Sequence, residues 1–170
     1  MLNINKVKQD IEYWITNFVE VPHPALGSWP PCPYAKKARL EQDFEVRLGM
    51  DPYYDLVNLS RDGLGGKSVV IFAYDPVKWP YEHFTFSLKA ANENYLLKQD
   101  ILALEDHPND QEIVNGICMN QGTYAMAVCQ SVSDLNVKAK HMASKGFYNN
   151  WPEEYLTALF QHREDPRKNV

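Results

Sequence analysis

The segment that most constrains the fold is Val69–Tyr74, six consecutive residues that form a wholly apolar run. A membrane-spanning helix needs about 20 apolar residues, so this run is far too short to be one. A short, continuous apolar run is typical of a strand that is buried on both faces. The chain is therefore expected to form a sheet with helices packed against it.

Strand and helix patterns alternate around this segment. Further strands are predicted at Phe44–Leu48, 101–104, 113–119 and 124–130, and the last two are expected to pair antiparallel across a turn at 120–123. Helices are predicted at 6–19, 34–40, 52–59 and 133–145, with a last one from about 150. From residue 76 onward a long helix is expected to pack on the sheet through Phe84, Leu88, Ala91 and Tyr95.

This order of elements predicts an α/β (α+β) fold, in which a single-layer mixed sheet of about four or five strands packs with helices. The length of 170 residues suits one domain over residues 1–170. Residues 1–31 are expected to form an N-terminal helical arm and a loop made rigid by prolines, and residues 164–170 a polar tail.

Charge and cysteine content narrow the classes of function. Lys and Arg number 17 against 22 Asp and Glu, so the net charge of −5 gives no reason to expect nucleic acid as a partner. The first residues have no hydrophobic signal segment, and no run is long enough to cross a membrane. Three cysteines, an odd number, indicate free thiols, and we expect a cytoplasmic protein.

Cys32 is the most informative single residue. It directly precedes the predicted helix at 34–40, and Lys36, Lys37 and Arg39 lie close to it in sequence. The positive end of a helix dipole and nearby cations favour the thiolate, which is the nucleophilic form of cysteine. Cys32 is therefore predicted to be a catalytic nucleophile.

A small anionic ligand is the partner that this basic segment would recognise. Its predicted binding residues are Tyr34, Lys36, Arg39 and Lys67. Lys67 ends the sequence Gly63-Leu-Gly-Gly-Lys67, which is similar to a phosphate-binding loop. Arg61 stands where that motif has its first glycine, and the segment precedes a strand instead of following one, so a tight turn is the preferred interpretation.

Two resemblances involve the same segment. Cys32-Pro-Tyr-Ala35 resembles the glutaredoxin motif, but Ala35 replaces its second cysteine, which removes dithiol chemistry. Trp14 on the first helix, the Cys32 segment, and a later strand followed by His107-Pro-Asn-Asp110 together resemble an uncharacterised bacterial family, whose members have Cys-Pro-Phe-Ala after such a helix and a strand ending in His-Pro. That resemblance implies a shared fold over about residues 10–110 and lends no activity.

His107 is the predicted general base for Cys32, because ligand sites in open α/β sheets lie outside the carboxyl ends of strands. In the alternative interpretation, Cys32 packs under the prolines and His107 hydrogen-bonds a turn. Glu105, Asp106, His107 and Asp110 also supply hard metal ligands. A solvated acidic turn is the competing interpretation of that segment, since successive residues after a strand point in opposite directions.

Aromatic residues make up 12% of the chain, and many of them fall in predicted loops or at the starts of predicted helices. Such residues either form a pocket or an interface, or tie down loops. This set comprises Trp29, Tyr34, Tyr53, Tyr54, Trp79, Tyr81, Phe147, Tyr148 and Trp151.

Three functional hypotheses follow. The first is a ligand-binding or enzymatic domain with a functional thiolate at Cys32. The second is a non-enzymatic protein that binds a protein partner through its proline-rich and aromatic loops. The third is a metal-dependent enzyme at the turn 105–110. Neither of the first two hypotheses requires a cofactor, and the sequence predicts none for them.

Overall fold

The structure, a computed structural model, describes residues 1–168. These residues form six α-helices, a mixed four-stranded sheet and a small two-stranded sheet, which confirms the α+β class. Within them, no helix is long and apolar enough to cross a bilayer.

The elements follow one another in the predicted order. The strands are β1 (Phe44–Leu48), β2 (Val69–Tyr74), β3 (Ile101–Asp106), β4 (Ile113–Val114), β5 (Ile117–Cys118) and β6 (Ala125–Ser131). The helices are α1 (Ile4–Trp14), α2 (Ala35–Leu40), α3 (Pro52–Asp62), α4 (Tyr81–Ala91), α5 (Val132–Ser144) and α6 (Glu153–Leu159). One π-helical turn, Ile15–Val19, continues α1, and another, Asn92–Leu96, continues α4.

The main sheet has the strand order β1-β2-β6-β3. β1 and β2 run parallel, and β6 lies antiparallel between β2 and β3, so that Val128 pairs with both Ile71 and Leu104. The predicted pairing of 113–119 with 124–130 is wrong. β4 and β5 instead pair with each other across Asn115 and Gly116, whose positive φ angles of 50° and 82° are those of a tight hairpin turn.

One face of the sheet packs on α3 and α4 and is fully buried. The core there includes Val70, Phe72 and Tyr74 from β2, and Phe84, Leu88 and Ala91 from α4 occupy the inward positions that the sequence predicted. Tyr95 does not, because the π-helical turn after Ala91 shifts the helical phase and buries Leu96 in its place.

The opposite face is covered by two separate clusters. The first packs Val7, Ile11 and Ile15 of the N-terminal helix on β1 and β2. The second gathers α5, α6, the β4-β5 hairpin and the proline-rich loop around Met142, Trp151 and other residues. Val128 on the inner strand β6 and its neighbour Leu104 on β3 are only half-buried.

The end of the chain is folded against this second cluster. Arg167 forms ion pairs with Asp165 and with Glu153 of α6, and Pro166 is buried. The predicted polar tail therefore packs on α6 as far as Lys168, and its last two residues, Asn169 and Val170, lie outside the described residues.

Candidate functional site

A cavity of about 810 Å³ lies between the two clusters. Its floor is the half-buried centre of the sheet, and its walls come from α1 with its π-helical turn, α2, α5 and α6. This volume is within the range of small-molecule sites. The residues that carry its chemistry are Trp14, Cys32, Tyr34, Lys37, Glu105, Asp106, Asp110, Glu112, Lys138, Trp151, Tyr155 and Arg163.

Buried polar atoms without a partner concentrate around this cavity. Among residues 1–168, six buried side-chain nitrogen or oxygen atoms have no hydrogen-bond partner. Five of them belong to lining residues, namely Trp14 Nε1, Trp151 Nε1, Arg163 Nε, Glu105 Oε1 and Asp106 Oδ1. Because folded proteins pair nearly all of their buried polar groups, such a concentration marks a place where another molecule would supply partners.

The carboxyl end of β3 brings acidic groups to the cavity. Asp106 is only 7% exposed, and burial raises its pKa to about 7; the Gly122 backbone N–H lowers that pKa, and the charges of Glu112 and Asp110 raise it further. Burial likewise raises the pKa of Glu105 to about 8, helped by Asp110, Glu112 and Asp106. Both carboxyls therefore exchange protons near neutral pH, as functional carboxyls often do.

Two further carboxyls complete this acidic end. Burial raises the pKa of Glu112, and the same group contributes to the raised pKa of the Tyr155 hydroxyl, for which burial is the main cause. Asp110 is held by Asn120, whose Nδ2 donates to Oδ2 over 2.9 Å. We call Glu105, Asp106, Asp110 and Glu112 the acidic cluster.

Two cationic side chains of the cavity, Lys138 and Arg163, contact groups away from the acidic cluster. Lys138 pairs with Asp134 at 2.6 Å on the same helix, and its Nζ lies 5.1 Å from the centre of the Tyr34 ring. The Arg163 guanidinium lies 5.1 Å from the Phe160 ring, and burial lowers the pKa of that arginine. None of these cations forms an ion pair with the acidic cluster within residues 1–168.

Cys32 lines the cavity, and burial of its thiol opposes the predicted ionisation. Its backbone N–H donates to Val19 and its C=O accepts from Ala35, which fixes the residue just before α2. Burial raises the pKa of the Cys32 thiol, an effect larger than that of the backbone hydrogen bonds or of the Lys138 charge. A helix of six residues has a small dipole, so burial opposes the predicted thiolate, and the nucleophilic role of Cys32 stays a prediction.

The four predicted anion-binding residues do not converge. Tyr34 lines the cavity, whereas Lys36 is exposed outside it. Arg39 binds both carboxylate oxygens of Glu20, at 3.0 and 2.7 Å. Lys67 donates to the carbonyl of Gln42 over 2.9 Å, and the glycines before it form a turn into β2.

His107 is away from Cys32, in the layer of α4. It is fully buried, and its ring packs against Tyr81 and Phe84. Nδ1 accepts a hydrogen bond from the Asn109 backbone N–H, so Nε2 carries the proton and donates to the Trp79 carbonyl over 2.9 Å. The structure does not bring Cys32 and His107 to one site, because His107 is absent from the cavity lining.

The segment 105–110 was interpreted from the sequence either as a metal site or as a solvated acidic turn, and its structure differs from both. Asp106 and His107 are buried, so it is not simply a solvated acidic turn. No group of three or more His, Cys, Asp or Glu side chains that could hold a metal ion occurs in the described part of the chain. Glu105, Asp106 and Asp110 instead contribute to the lining of the cavity.

The loop aromatics divide between the two faces of the sheet. Tyr34, Phe147, Tyr148 and Trp151 line the cavity. Tyr53, Tyr54 and Trp79 line a smaller cleft beside α4. Sequence reasoning missed the cavity roles of Trp14, Tyr155, Glu112 and Arg163. Trp14 and Tyr155 have helical spacings that are typical of core residues, and the sequence carries no signal for Glu112 and Arg163.

Neither a protein-family model nor a curated protein nor a solved structure matches this chain. The resemblance to an uncharacterised bacterial family therefore stays a prediction.

Proposed function

We propose that this protein binds a small organic molecule in the central cavity. The observation that carries the proposal is the concentration of unpartnered buried polar atoms among the lining residues, with donors on Trp14, Trp151 and Arg163 and acceptors on Glu105 and Asp106. Leaving one such group without a partner costs about 1–3 kcal/mol. A ligand that pairs them would recover that energy.

The shape of the protein core supports the same function. The face of the sheet toward α4 is filled by side chains, whereas Leu104 and Val128 on the cavity face remain half-buried. Native interiors are close-packed, and the partly open cavity of about 810 Å³ over this face has the size of a small-molecule site.

This proposal keeps the ligand-binding part of the first sequence hypothesis and moves its centre away from a Cys32 thiolate. Cys32 lines the same cavity, and we infer that it acts there as a neutral thiol in contact with the ligand. A role in catalysis is not needed for the binding function.

Filling the cavity tests the proposal. We expect the uncharged solvatochromic dye Nile red to bind saturably with blue-shifted emission, because the walls are apolar and aromatic. Val128→Trp places a large side chain on the cavity floor and should reduce the dye affinity at least about tenfold. Val137→Trp is the matched control, since Val137 is 67% exposed on α5 and lies outside the cavity.

Ala38→Phe fills the cavity from α2 and serves as a second variant should Val128→Trp unfold the protein. Circular dichroism melting establishes that each variant is folded. Equal dye binding by Val128→Trp, Ala38→Phe and Val137→Trp, or the absence of saturable binding to the wild-type protein, would show that the cavity is not a ligand site.

A further inference from the structure

Acidic side chains outnumber cationic ones around the cavity. Seven carboxylates and three cationic side chains line it. Some of the carboxylates are engaged, as Asp134 is with Lys138 and Asp43 is with Ser68. The acidic cluster has no cationic partner in the described structure, so its charge is available to a bound molecule.

Burial strengthens the interactions that these carboxylates can make with a bound molecule. Asp106 is 7% exposed and its Oδ1 has no hydrogen-bond partner among residues 1–168. A charge–charge contact is worth far more where water is excluded than at the surface. A cation that reached Asp106 would therefore gain more there than at any exposed carboxylate.

The walls next to the acidic cluster are aromatic. The Trp151 and Tyr155 rings stack with their centres 5.3 Å apart, and Trp151 is 8% exposed. Tyr155 is close enough to Glu112 for the two to influence each other's pKa. Aromatic faces beside carboxylates are the surroundings that recognise ammonium groups, through cation–π attraction and charge-assisted hydrogen bonds.

We propose, building on the ligand-binding function above, that the ligand is an organic cation whose ammonium group contacts the acidic cluster while its apolar body lies along the aromatic walls. An organic ion fits better than a metal ion, since the cavity is far larger than an ion and residues 1–168 form no metal-holding group. The free donors of Trp14, Trp151 and Arg163 call for a hydrogen-bond acceptor on the same molecule.

Binding of a cation is coupled to the protonation of this end of the cavity. The titratable groups that influence Glu105 and Asp106 are Asp110 and Glu112 from the following segment, with Tyr81 of α4 and Tyr155 of α6 nearby, and none of these groups is a cation. At pH 6 both carboxyls hold protons that a cation has to displace, and at pH 8.5 they are largely ionised. Affinity for a cation should therefore rise with pH.

Isothermal titration calorimetry with three probes of similar shape tests the proposal. The probes are 2-phenylethylammonium, uncharged 2-phenylethanol and anionic phenylacetate. At pH 8.5 we expect the cation to bind at least about tenfold more tightly than the alcohol, and the anion to bind most weakly. This preference should shrink about tenfold at pH 6, where titrations in buffers of different ionisation enthalpy should show protons released on binding.

Asp106→Asn identifies the group responsible. It removes the charge and keeps the shape, so it should lower affinity for the cation about tenfold and leave affinity for the alcohol within about threefold. Glu154→Gln, an exposed position on α6 outside the cavity, is the matched control and should change neither. Glu105→Gln is the second variant if Asp106→Asn does not fold.

The outcomes separate the two proposals. Saturable Nile red binding that Val128→Trp abolishes, together with no preference for 2-phenylethylammonium over 2-phenylethanol, would overturn the cation proposal and leave the ligand-binding function standing. A preference that Asp106→Asn and Glu105→Gln both leave intact would also overturn it. Loss of the Nile red site itself would remove the function on which the cation proposal rests.

Discussion

At the scale of single residues, the environments of the Cys32 thiol and the Asp106 carboxyl both differ from those that their local sequences indicated. Local charge predicted an ionised Cys32, but burial raises the pKa of its thiol. The acidic turn predicted a solvated Asp106, but burial places that carboxyl in the cavity wall with a pKa of about 7. Burial decides both cases, and it depends on residues distant in sequence.

The three cysteines allow a test of this view of Cys32 within one protein. Cys118 is exposed to solvent, Cys129 is buried, and Cys32 has an intermediate exposure. We expect iodoacetamide at pH 7.4 to alkylate Cys118 first and Cys32 at least about tenfold more slowly, because only the thiolate reacts. Peptide mapping by mass spectrometry follows each site, and urea should bring the three rates together. Faster reaction at Cys32 than at Cys118 would restore the activated thiolate.

At the scale of secondary structure, the end of α4 shows what a helical pattern leaves out. The π-helical turn at Asn92–Leu96 turns the Asn92 side chain toward β3, the edge strand of the sheet. There Asn92 Nδ2 donates to the Ala103 carbonyl and Asn92 Oδ1 accepts from the Ala103 N–H, each over 2.9 Å. Asn92 thus covers the backbone groups that an edge strand exposes.

Replacing Asn92 measures the value of this cover. Asn92→Leu keeps the size of the side chain but leaves the N–H and C=O of Ala103 without their partners, so the free energy of unfolding should fall by about 2–4 kcal/mol. Asn94→Leu, an exposed position on the same turn, should change it by no more than about 0.5 kcal/mol. Urea unfolding followed by circular dichroism compares the two. Equal losses would mean that Asn92 does not stabilise the edge.

Helices and strands with a clear local pattern of apolar residues were predicted well from the sequence. The apolar run of β2 and the spacing of Phe84, Leu88 and Ala91 on α4 needed no knowledge of distant residues. The hairpin of β4 and β5 was missed because 113–119 was treated as one strand, although Asn115-Gly116 within it is a strong turn signal. The prediction that Tyr95 packs on the sheet was wrong because a π-helical turn leaves no periodic pattern in the sequence.

At the scale of the whole molecule, the cavity exists because two clusters cover one face of the sheet without meeting at its centre. Trp14 belongs to α1 and Trp151 directly precedes α6, so these two residues come to the same cavity only in the folded chain. Hydrophobic spacing assigns Trp14 to a core, and it cannot distinguish a filled core from a lined cavity, whereas Trp151 was predicted only to form a pocket, an interface or a loop anchor. The fold class was therefore predictable, and the site was not.

The indole N–H signals of the four tryptophans test most directly whether the cavity is the ligand site. Trp14 and Trp151 line it with unpartnered Nε1 groups, while Trp79 lies outside it beside α4 and Trp29 also lies outside its lining. In ¹H–¹⁵N spectra at pH 7.5, assigned with Trp→Phe variants, we expect 2-phenylethylammonium to shift the Trp14 and Trp151 signals saturably and to leave Trp79 in place. Unchanged Trp14 and Trp151 signals, or an equal shift at Trp79, would contradict an organic-cation site in this cavity.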